Sequence, residues 1–330
     1  MGLFDRFNKK KVYIQKRPAN TEELFGQAWL MIIGGKEKAE GLRTMAFLQG
    51  LWVEEANIVL AMFAEDAISR KNYLERTAES GHPEALWQYC NLIPHSYVPD
   101  PKIDEDRKWE ECCLKAAENG SPDAMNEMGN IFNRRNNYHE AMYWYALANA
   151  NGHPSGEIGM QGITVRWLSA GMPEQFIKGS PQFDEARFKC AQAYLEINAG
   201  QQISLGVEEA VDMVLDGVSI AGYLAGDIFE SIENYEMATK IYSMLAQHND
   251  AHGTKCYGDM LLSGMGGIKD PETAFSMYKK AAELGDRSAM FIMGEFYKDS
   301  NILMAAYWYG LAHSRGYEHA ITRLQQLEQL

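Results

Sequence analysis

Adjacent aromatic residues are the first candidates for chemistry in this sequence. The segment AMYWYALANANG at 141–152 places Tyr143, Trp144 and Tyr145 side by side, and such a run could stack on a base, a sugar or a cation. A second segment, AAYWYGLAHSRG at 305–316, is identical to it at seven of twelve positions. The two segments are either a duplicated binding site or one structural unit that is repeated along the chain.

Two groups of nucleophilic side chains also need to be considered. Ser276 and Lys279 form an S-x-x-K pattern, but the K-T-G and S-D-N motifs that accompany it in hydrolases are absent from the sequence. Cys112 and Cys113 resemble a reactive pair, yet in WEECCLKAAENG they occupy the Trp and Tyr positions of the aromatic segment. We therefore expect both cysteines to be structural and the protein to be no enzyme.

Metal and phosphate sites have little support in the sequence. His82 and His153 stand in matching Gly-His-Pro turns, which indicates a repeated turn residue rather than a pair of metal ligands. No H-E-x-x-H motif occurs, and the Gly-rich segment at 264–267 is not followed by the Gly-Lys-Ser/Thr of a phosphate-binding loop. We expect neither a metal nor a cofactor.

The aromatic segment belongs to a pattern, A-x-x-W-Y-x-x-A-x-x-x-G, that recurs along the chain. Its apolar residues follow the spacing of one stripe of a helix, and the final Gly ends that helix. We name this predicted element helix B. In one copy Asn249 replaces Gly, as a left-handed C-cap allows. The predicted terminal positions are Gly50, Gly81, Gly120, Gly152, Gly222, Asn249, Gly285 and Gly316.

A second helical pattern follows each terminal residue, and we name it helix A. It is often entered through a turn with Pro, as in GSPDA at 120–124, where Pro suits the first helical turn. The predicted unit is thus an antiparallel helix pair of roughly thirty to forty residues. Trp144 and Tyr145 then fill core positions, whereas Tyr143 and Tyr307 keep some freedom to face solvent.

The spacing of these units predicts the organisation of the whole chain. One gap of 70 residues between terminal positions is two units long and contains RWLSAGMPEQFIKGSP, which lacks the helix B pattern. We predict a basic tail at 1–19, helical repeats at 20–152, a degenerate repeat with an irregular segment at 153–182, helical repeats at 183–316 and a capping helix at 317–330.

The unit at 250–285 carries a resemblance to a known family. Its loop SGMGGIKDPETA and its ending AAELG are similar to the Sel-one-like repeat, a subfamily of the tetratricopeptide-like helical repeats. The likeness covers about residues 20–330 and is weakest at 153–222. It implies an all-α fold, a right-handed α-solenoid of about nine antiparallel helix pairs.

The resemblance also implies where a partner would bind. In tetratricopeptide-like arrays the A helices line a concave groove, and the stripe opposite their packing face points into it. This stripe is polar, rich in amides and somewhat acidic, with Trp87 and Phe291 as candidate anchors. The predicted partner-binding residues are Glu84, Trp87, Gln88, Asn91, Asn126, Asn130, Lys255, Asp259, Phe291 and Glu295.

The function that we expect is that of a non-catalytic scaffold or adaptor, which binds a protein or an extended peptide in the groove. A sharper hypothesis is a dedicated bacterial partner such as a toxin, which would make the protein an immunity-type protein. One alternative is a membrane-associated organiser that is tethered by its N-terminus. A second alternative is a hydrolase that uses Ser276 and Lys279.

The distribution of charge bears on the choice of partner. The chain has a net charge of −14, so nucleic acid and anionic membranes are repelled over most of its surface and a basic protein partner is favoured. Residues 1–18 instead carry a net +5, which leaves −19 for the rest. Because Leu3, Phe4 and Phe7 precede three lysines, residues 1–11 are the one segment that we expect could contact a membrane.

The expected location is the cytoplasm. The short apolar stretch AWLMII is preceded by Glu22 and Glu23 rather than by a basic flank, so it does not match a secretory signal. Five cysteines are an odd number, and none of them form a C-x-x-C pair. Reduced thiols are typical of a cytoplasmic protein.

Overall fold

A computed structural model describes residues 20–35, 37–50, 54–97, 99–169, 185–198, 200–215 and 219–329. The predicted tail at 1–19 and most of the predicted irregular segment lie outside these residues. The described residues form eighteen α-helices. They are α1 (Thr21–Gly34), α2 (Lys38–Gly50), α3 (Glu54–Met62), α4 (Ala67–Glu79), α5 (Pro83–Cys90), α6 (Asp104–Glu118), α7 (Pro122–Arg134), α8 (Tyr138–Ala150), α9 (Pro154–Ser169), α10 (Glu185–Asn198), α11 (Val207–Leu215), α12 (Ser219–Ser231), α13 (Tyr235–Gln247), α14 (Ala251–Ser263), α15 (Pro271–Leu284), α16 (Arg287–Tyr297), α17 (Ile302–Ser314) and α18 (His319–Glu328).

Most of the predicted terminal positions end a helix in the left-handed conformation. The backbone angle φ is positive at Gly81, Gly120, Gly152, Gly285 and Gly316, and it is 59° at Asn249. The next residue then donates its N–H back into the helix, as Asp286 does to the carbonyl of Ala281 at 2.9 Å. The prediction that these residues end the B helices is confirmed.

The residue after most of these endings caps the next helix. Asp250 and Asp286 each accept the backbone N–H of the third residue of their helix, Gly253 of α14 and Ala289 of α16, at 2.6 and 2.7 Å. His82 and Ser121 do the same for α5 and α7 at 3.4 Å. His153 accepts from the N–H of Ser155 at 3.2 Å. The histidines of the Gly-His-Pro turns thus serve as helix caps.

Two sequence-based expectations are wrong. Gly222 does not end a B helix, because α11 ends at Leu215 and Gly222 lies inside α12. Spacing alone could not show this, since apolar residues three and four apart continue from α11 into α12. Tyr143 and Tyr307 do not face solvent either, because they are 1% and 6% exposed. Both belong to helices that are covered on all sides by their neighbours.

Tight packing of helix A against helix B is repeated along the array. A Cβ atom on Gly129 would lie 2.5 Å from the ring of Tyr145, and one on Gly258 would lie 3.0 Å from the ring of Tyr278. Gly294 meets Tyr309 in the same way. Each glycine on an A helix therefore makes room for a tyrosine on the B helix that follows it.

The two ends of the described chain pack against each other. Helix α1 packs on α17 and α18 as well as on α2. A Cβ atom on Gly26 of α1 would overlap the carbonyl oxygen of Leu303, and Gly310 of α17 lies against the indole of Trp29. One continuous hydrophobic core therefore contains residues from 25–60 and from 274–327, and the solenoid closes on itself.

The middle of the array departs from regular pairing. Helix α8 packs on α7, on α9 and also on α10, which comes from beyond the undescribed residues 170–184. Helix α9 itself runs without interruption from Pro154 to Ser169. The regular helix α9 thus fills the first half of the segment predicted to be degenerate.

Candidate functional site: the inner face

Nine of the ten predicted partner-binding residues lie on four A helices, α5, α7, α14 and α16, and Asn91 is the C-cap of α5. We call the set of their side chains the inner face. Asn91 is exposed, and the other nine residues are half-buried. The inner face consists of Glu84, Trp87, Gln88, Asn91, Asn126, Asn130, Lys255, Asp259, Phe291 and Glu295.

Tyrosines from the B helices hold three of these residues in place. The hydroxyl of Tyr145 donates to Asn130 Oδ1 at 2.8 Å, and that of Tyr278 donates to Asp259 Oδ1 at 2.8 Å. Tyr309 donates to Glu295 Oε1 at the same distance. Each acceptor directly follows the small glycine at which the tyrosine ring packs. The repeat thus places an acceptor at the same point of three units.

Ion pairs fix the charged members further. Lys255 Nζ lies 2.7 Å from Asp259 Oδ2, and Lys298 Nζ lies 2.9 Å from Glu295 Oε2. Arg323 of α18 approaches the other oxygen of Glu295 at 2.6 Å. Burial opposes ionisation of Glu295, but its hydrogen bonds with Lys298 and Tyr309 hold the pKa of this carboxyl below its ordinary value. The carboxylate of Glu295 therefore remains a charged acceptor.

The two predicted aromatic anchors are partly used inside the protein. Trp87 is half-buried and packs against a second hydrophobic core, whose buried residues lie between Ala78 and Met260. The ring of Phe291 lies 4.9 Å from that of Tyr317 and 5.4 Å from that of Tyr309, measured between centroids. Each presents a limited apolar area to the inner face.

Two amide oxygens on the inner face lack a donor. Gln88 Oε1 on α5 and Asn126 Oδ1 on α7 are buried and have no hydrogen-bond partner within the described part of the chain. The nitrogen of Gln88 donates to Glu84 at 2.7 Å, so that side chain is otherwise oriented. Buried polar atoms are nearly always hydrogen-bonded in folded proteins, so these two oxygens can accept from water or from a partner.

The first turns of the A helices converge around Arg287. This guanidinium donates to the carbonyl oxygen of Asn151 at 2.6 Å and to that of Gly316 at 2.7 Å, and so joins units far apart in sequence. Glu84 is close by, because a Cβ atom on Gly316 would lie 2.9 Å from its Oε2. Burial raises the pKa of Glu84 to about 7.

Sequence reasoning missed Arg287, although a signal was present. Three other units have Pro at the corresponding place, at positions 83, 122 and 154. Arg287 has a long cationic side chain where these units have Pro. Packing within its own unit does not explain this difference. Its partners, however, come from other units, and spacing within one unit cannot identify them.

The alternative nucleophile does not form a site with the inner face. Ser276 and Lys279 are exposed on α15, a B helix. The hydroxyl of Ser276 donates to the carbonyl oxygen of Glu272 at 3.2 Å. Of the two adjacent cysteines considered from the sequence, Cys113 is buried and Cys112 is half-buried, as expected of structural residues. In the described ranges, no group of His, Cys, Asp and Glu is arranged to hold a metal ion.

Comparison with known proteins agrees with this repeated geometry. Residues 122–153 and 256–286 match the family model of the Sel1 repeat. The chain therefore contains two segments that match the Sel1 repeat. Both matched Sel1 repeats contain one of the tight glycine–tyrosine contacts, Gly129 with Tyr145 and Gly258 with Tyr278. No match was found among the curated proteins.

Solved structures that match this chain include two bacterial ones. A protective antigen of uropathogenic Escherichia coli with an SLR fold is 16% identical, with a TM-score of 0.35, and the match covers 93% of this chain and 79% of that chain. A Sel1 repeat protein from Oxalobacter formigenes is 20% identical, with a TM-score of 0.36, and the match covers 97% and 88%. Among the described residues, no helix has the length and apolar character needed to cross a membrane.

Proposed function

We propose that this protein is a non-catalytic scaffold that binds a protein or an extended peptide along its inner face. Proteins built from Sel1 repeats generally mediate contacts between proteins. The observation that supports the inner face as the binding surface is its row of acceptors. Three are held by tyrosine hydroxyls, at Asn130, Asp259 and Glu295. Two further oxygens, on Gln88 and Asn126, have no donor among the described residues.

Such a row suits a partner that supplies N–H donors. Acceptors that are already fixed lose little entropy when a partner binds, so their hydrogen bonds contribute more to affinity. The net charge of −14 favours a basic partner, and lysine and arginine side chains or an extended backbone provide the donors. A dedicated basic protein of the bacterial cytoplasm, such as a toxin that this chain neutralises, is the sharper form of this proposal.

Asn126 is the best position for a test, because its oxygen contributes no hydrogen bond to the fold that the structure describes. The full chain would be used to purify partners from its native cell, with mass spectrometry as the readout. We expect Asn126→Ala to lower recovery of one specific partner by about tenfold or more, as the loss of a hydrogen bond to a buried group costs about 1–3 kcal/mol. Asn72→Ala, on an exposed face of the B helix α4, is the matched control.

Equal recovery with both variants would reject the inner face as the binding surface. Recovery of housekeeping proteins alone, with no toxin gene beside the gene for this chain, would reject the immunity-type role but leave the scaffold. The membrane-tethered alternative concerns residues 1–11, which lie outside the described residues. Co-sedimentation with anionic liposomes, compared between the full chain and a chain without residues 1–11, tests this alternative. Equal binding by the two chains would reject it.

A further inference from the structure

Three side chains outside the predicted site lie next to one another in space: a thiol, an imidazole and a carboxylate. His252 and Cys256 are one turn apart on α14, and Cys256 Sγ lies 3.5 Å from His252 Nε2. The other ring nitrogen, Nδ1, lies 3.3 Å from Asp286 Oδ2. A nucleophile, a base and a carboxylate that orients the base, in this order, make up the arrangement by which proteins activate a thiol.

The carboxylate of this group is held in place by the start of α16. Asp286 Oδ1 accepts the N–H of Ala289 at 2.7 Å, so its other oxygen is directed at His252. Burial favours the neutral acid, but the hydrogen bond with His252 and the positive charge of that ring hold the pKa of Asp286 below its ordinary value. A fixed carboxylate selects the tautomer and orientation of the imidazole.

The charges around the thiol favour an ion pair. Burial alone would lower the pKa of His252, but the negative charge of Cys256 and the hydrogen bond with Asp286 raise it well above its ordinary value. The neighbouring Lys255 is also held in its charged form by Cys256 and Asp259. A thiolate beside an imidazolium and an ammonium is the state that makes a cysteine nucleophilic.

The cysteines of α5 and α6 provide a contrast within the same chain. Cys90 and Cys113 are buried, and their thiols donate to the carbonyl oxygens of Trp109 and Ala124 at 3.4 and 3.8 Å. The hydrogen bond with Cys90 and burial both raise the pKa of Cys112. Contact with Cys112 lowers the pKa of Cys90, but Cys113 and burial raise it more. The environments of Cys90 and Cys112 therefore keep these two thiols protonated.

We propose that His252 activates the sulfur of Cys256 as a nucleophile, which reacts with small hydroperoxides to form a sulfenic acid. The sulfur attacks the terminal oxygen of the peroxide, the S–O bond forms and the O–O bond breaks. The sulfur is oxidised by two electrons, and the peroxide is reduced to water or to an alcohol. The imidazolium of His252 donates its proton to the departing oxygen, so that the step is balanced. Since Cys256 is only 8% exposed, small peroxides are the reagents that fit.

The purified full chain, hydrogen peroxide and a dimedone probe for sulfenic acids test the proposal, with each cysteine peptide followed by mass spectrometry. We expect the Cys256 peptide to be labelled at least about tenfold faster than those of Cys90 and Cys113 near neutral pH. His252→Gln should slow labelling of Cys256 by at least about tenfold and make its rate rise with pH, as in an ordinary thiol. Cys256→Ser removes the signal and identifies it.

The pH profile of the wild type serves as a second measurement should His252→Gln fail to fold. A flat rate for Cys256 between pH 6 and 8, beside a rising rate for Cys112, supports the ion pair. Labelling of Cys256 no faster than that of Cys90, or an unchanged rate in folded His252→Gln, would overturn the proposal. The charged and titratable groups that influence this cluster are Asp227 on α12, Tyr242 on α13, Asp250, Lys255 and Asp259 at α14, Tyr278 on α15 and Arg287 on α16.

Discussion

At the scale of single residues, Glu84 acquires its behaviour from the closure of the array. In the first turn of α5, an isolated helix would favour the ionised carboxylate, because the N-terminal end of a helix is partly positive. Here burial raises the pKa of Glu84 to about 7. The hydrogen bond from Gln88 lowers this pKa, whereas the charges of Asp123 and Glu318 raise it further. Burial is therefore the main cost of ionising Glu84, and carboxylates of other units add to it.

This pKa predicts a stability that falls with pH. Between pH 4.5 and about 7 the folded state holds a proton on Glu84 that the unfolded state has lost, so stability is lost as pH rises through this range. Glu84→Gln keeps the shape and removes the charge. We expect it to be more stable than wild type at pH 8 by about 1–3 kcal/mol, and equal to it near pH 4.

Urea unfolding at a series of pH values measures this difference. Glu79→Gln, at an exposed position of α4, is the control and should follow the wild type throughout. Parallel profiles for wild type and Glu84→Gln would show that Glu84 ionises in the folded state at no cost.

At the scale of elements, a glycine on helix A and a tyrosine on helix B form one packing unit. Gly294 lies against the ring of Tyr309, whose hydroxyl reaches Glu295 one residue further along α16. The pair thus brings the helices close together and also sets one acceptor of the inner face. Packing and the candidate site depend on the same contact.

Two glycine-to-alanine changes in helices should therefore have opposite effects. Gly294→Ala would place a methyl group inside the ring of Tyr309, and we expect it to lower the free energy of unfolding by about 1–3 kcal/mol. Gly162→Ala, in α9, meets nothing within 4 Å and should raise it by up to about 1 kcal/mol, since alanine favours helix. Denaturant unfolding of both variants measures these changes in the free energy of unfolding. A Gly294→Ala variant that is more stable than the wild type would contradict the close packing of Gly294 against Tyr309.

The sequence predicts these elements well because their determinants are local. The left-handed ending at Asn249 follows from one residue type at a fixed place in the pattern, and the all-α solenoid follows from repetition of that pattern. Gly222 was wrongly taken as a helix end because apolar residues three and four apart continue from α11 into α12. The inner-face residues were predicted by position, but the lack of a donor at Asn126 depends on the surrounding side chains and could not be read from spacing.

At the scale of the molecule, the feature that local pattern could not predict is closure. Each unit contributes a small rotation to a solenoid, and whether the ends meet depends on the sum of these rotations rather than on any one segment. Arg287 contributes to closure because it donates hydrogen bonds to the carbonyl oxygens of Asn151 and Gly316. The ion pair of Arg315 with Glu55, at 3.8 Å, is a second link between the two ends.

Closure depends on a backbone contact that can be tested directly. Gly26 of α1 lies so close to α17 that any Cβ atom would overlap the carbonyl oxygen of Leu303 and approach the nitrogen of Tyr307 to 2.8 Å. A side chain at this position must therefore push α1 away from α17. We expect Gly26→Val to increase the radius of gyration measured by small-angle X-ray scattering and to lower stability by about 1–3 kcal/mol.

Gly162→Val controls for the substitution itself, because it places the same side chain on an open helical surface. It should leave the radius of gyration unchanged. If Gly26→Val also scatters as the wild type does, α1 does not close the array in solution. An increase for Gly26→Val alone would show that the ends are held together by this contact, and that the inner face is shaped by closure as well as by the repeats.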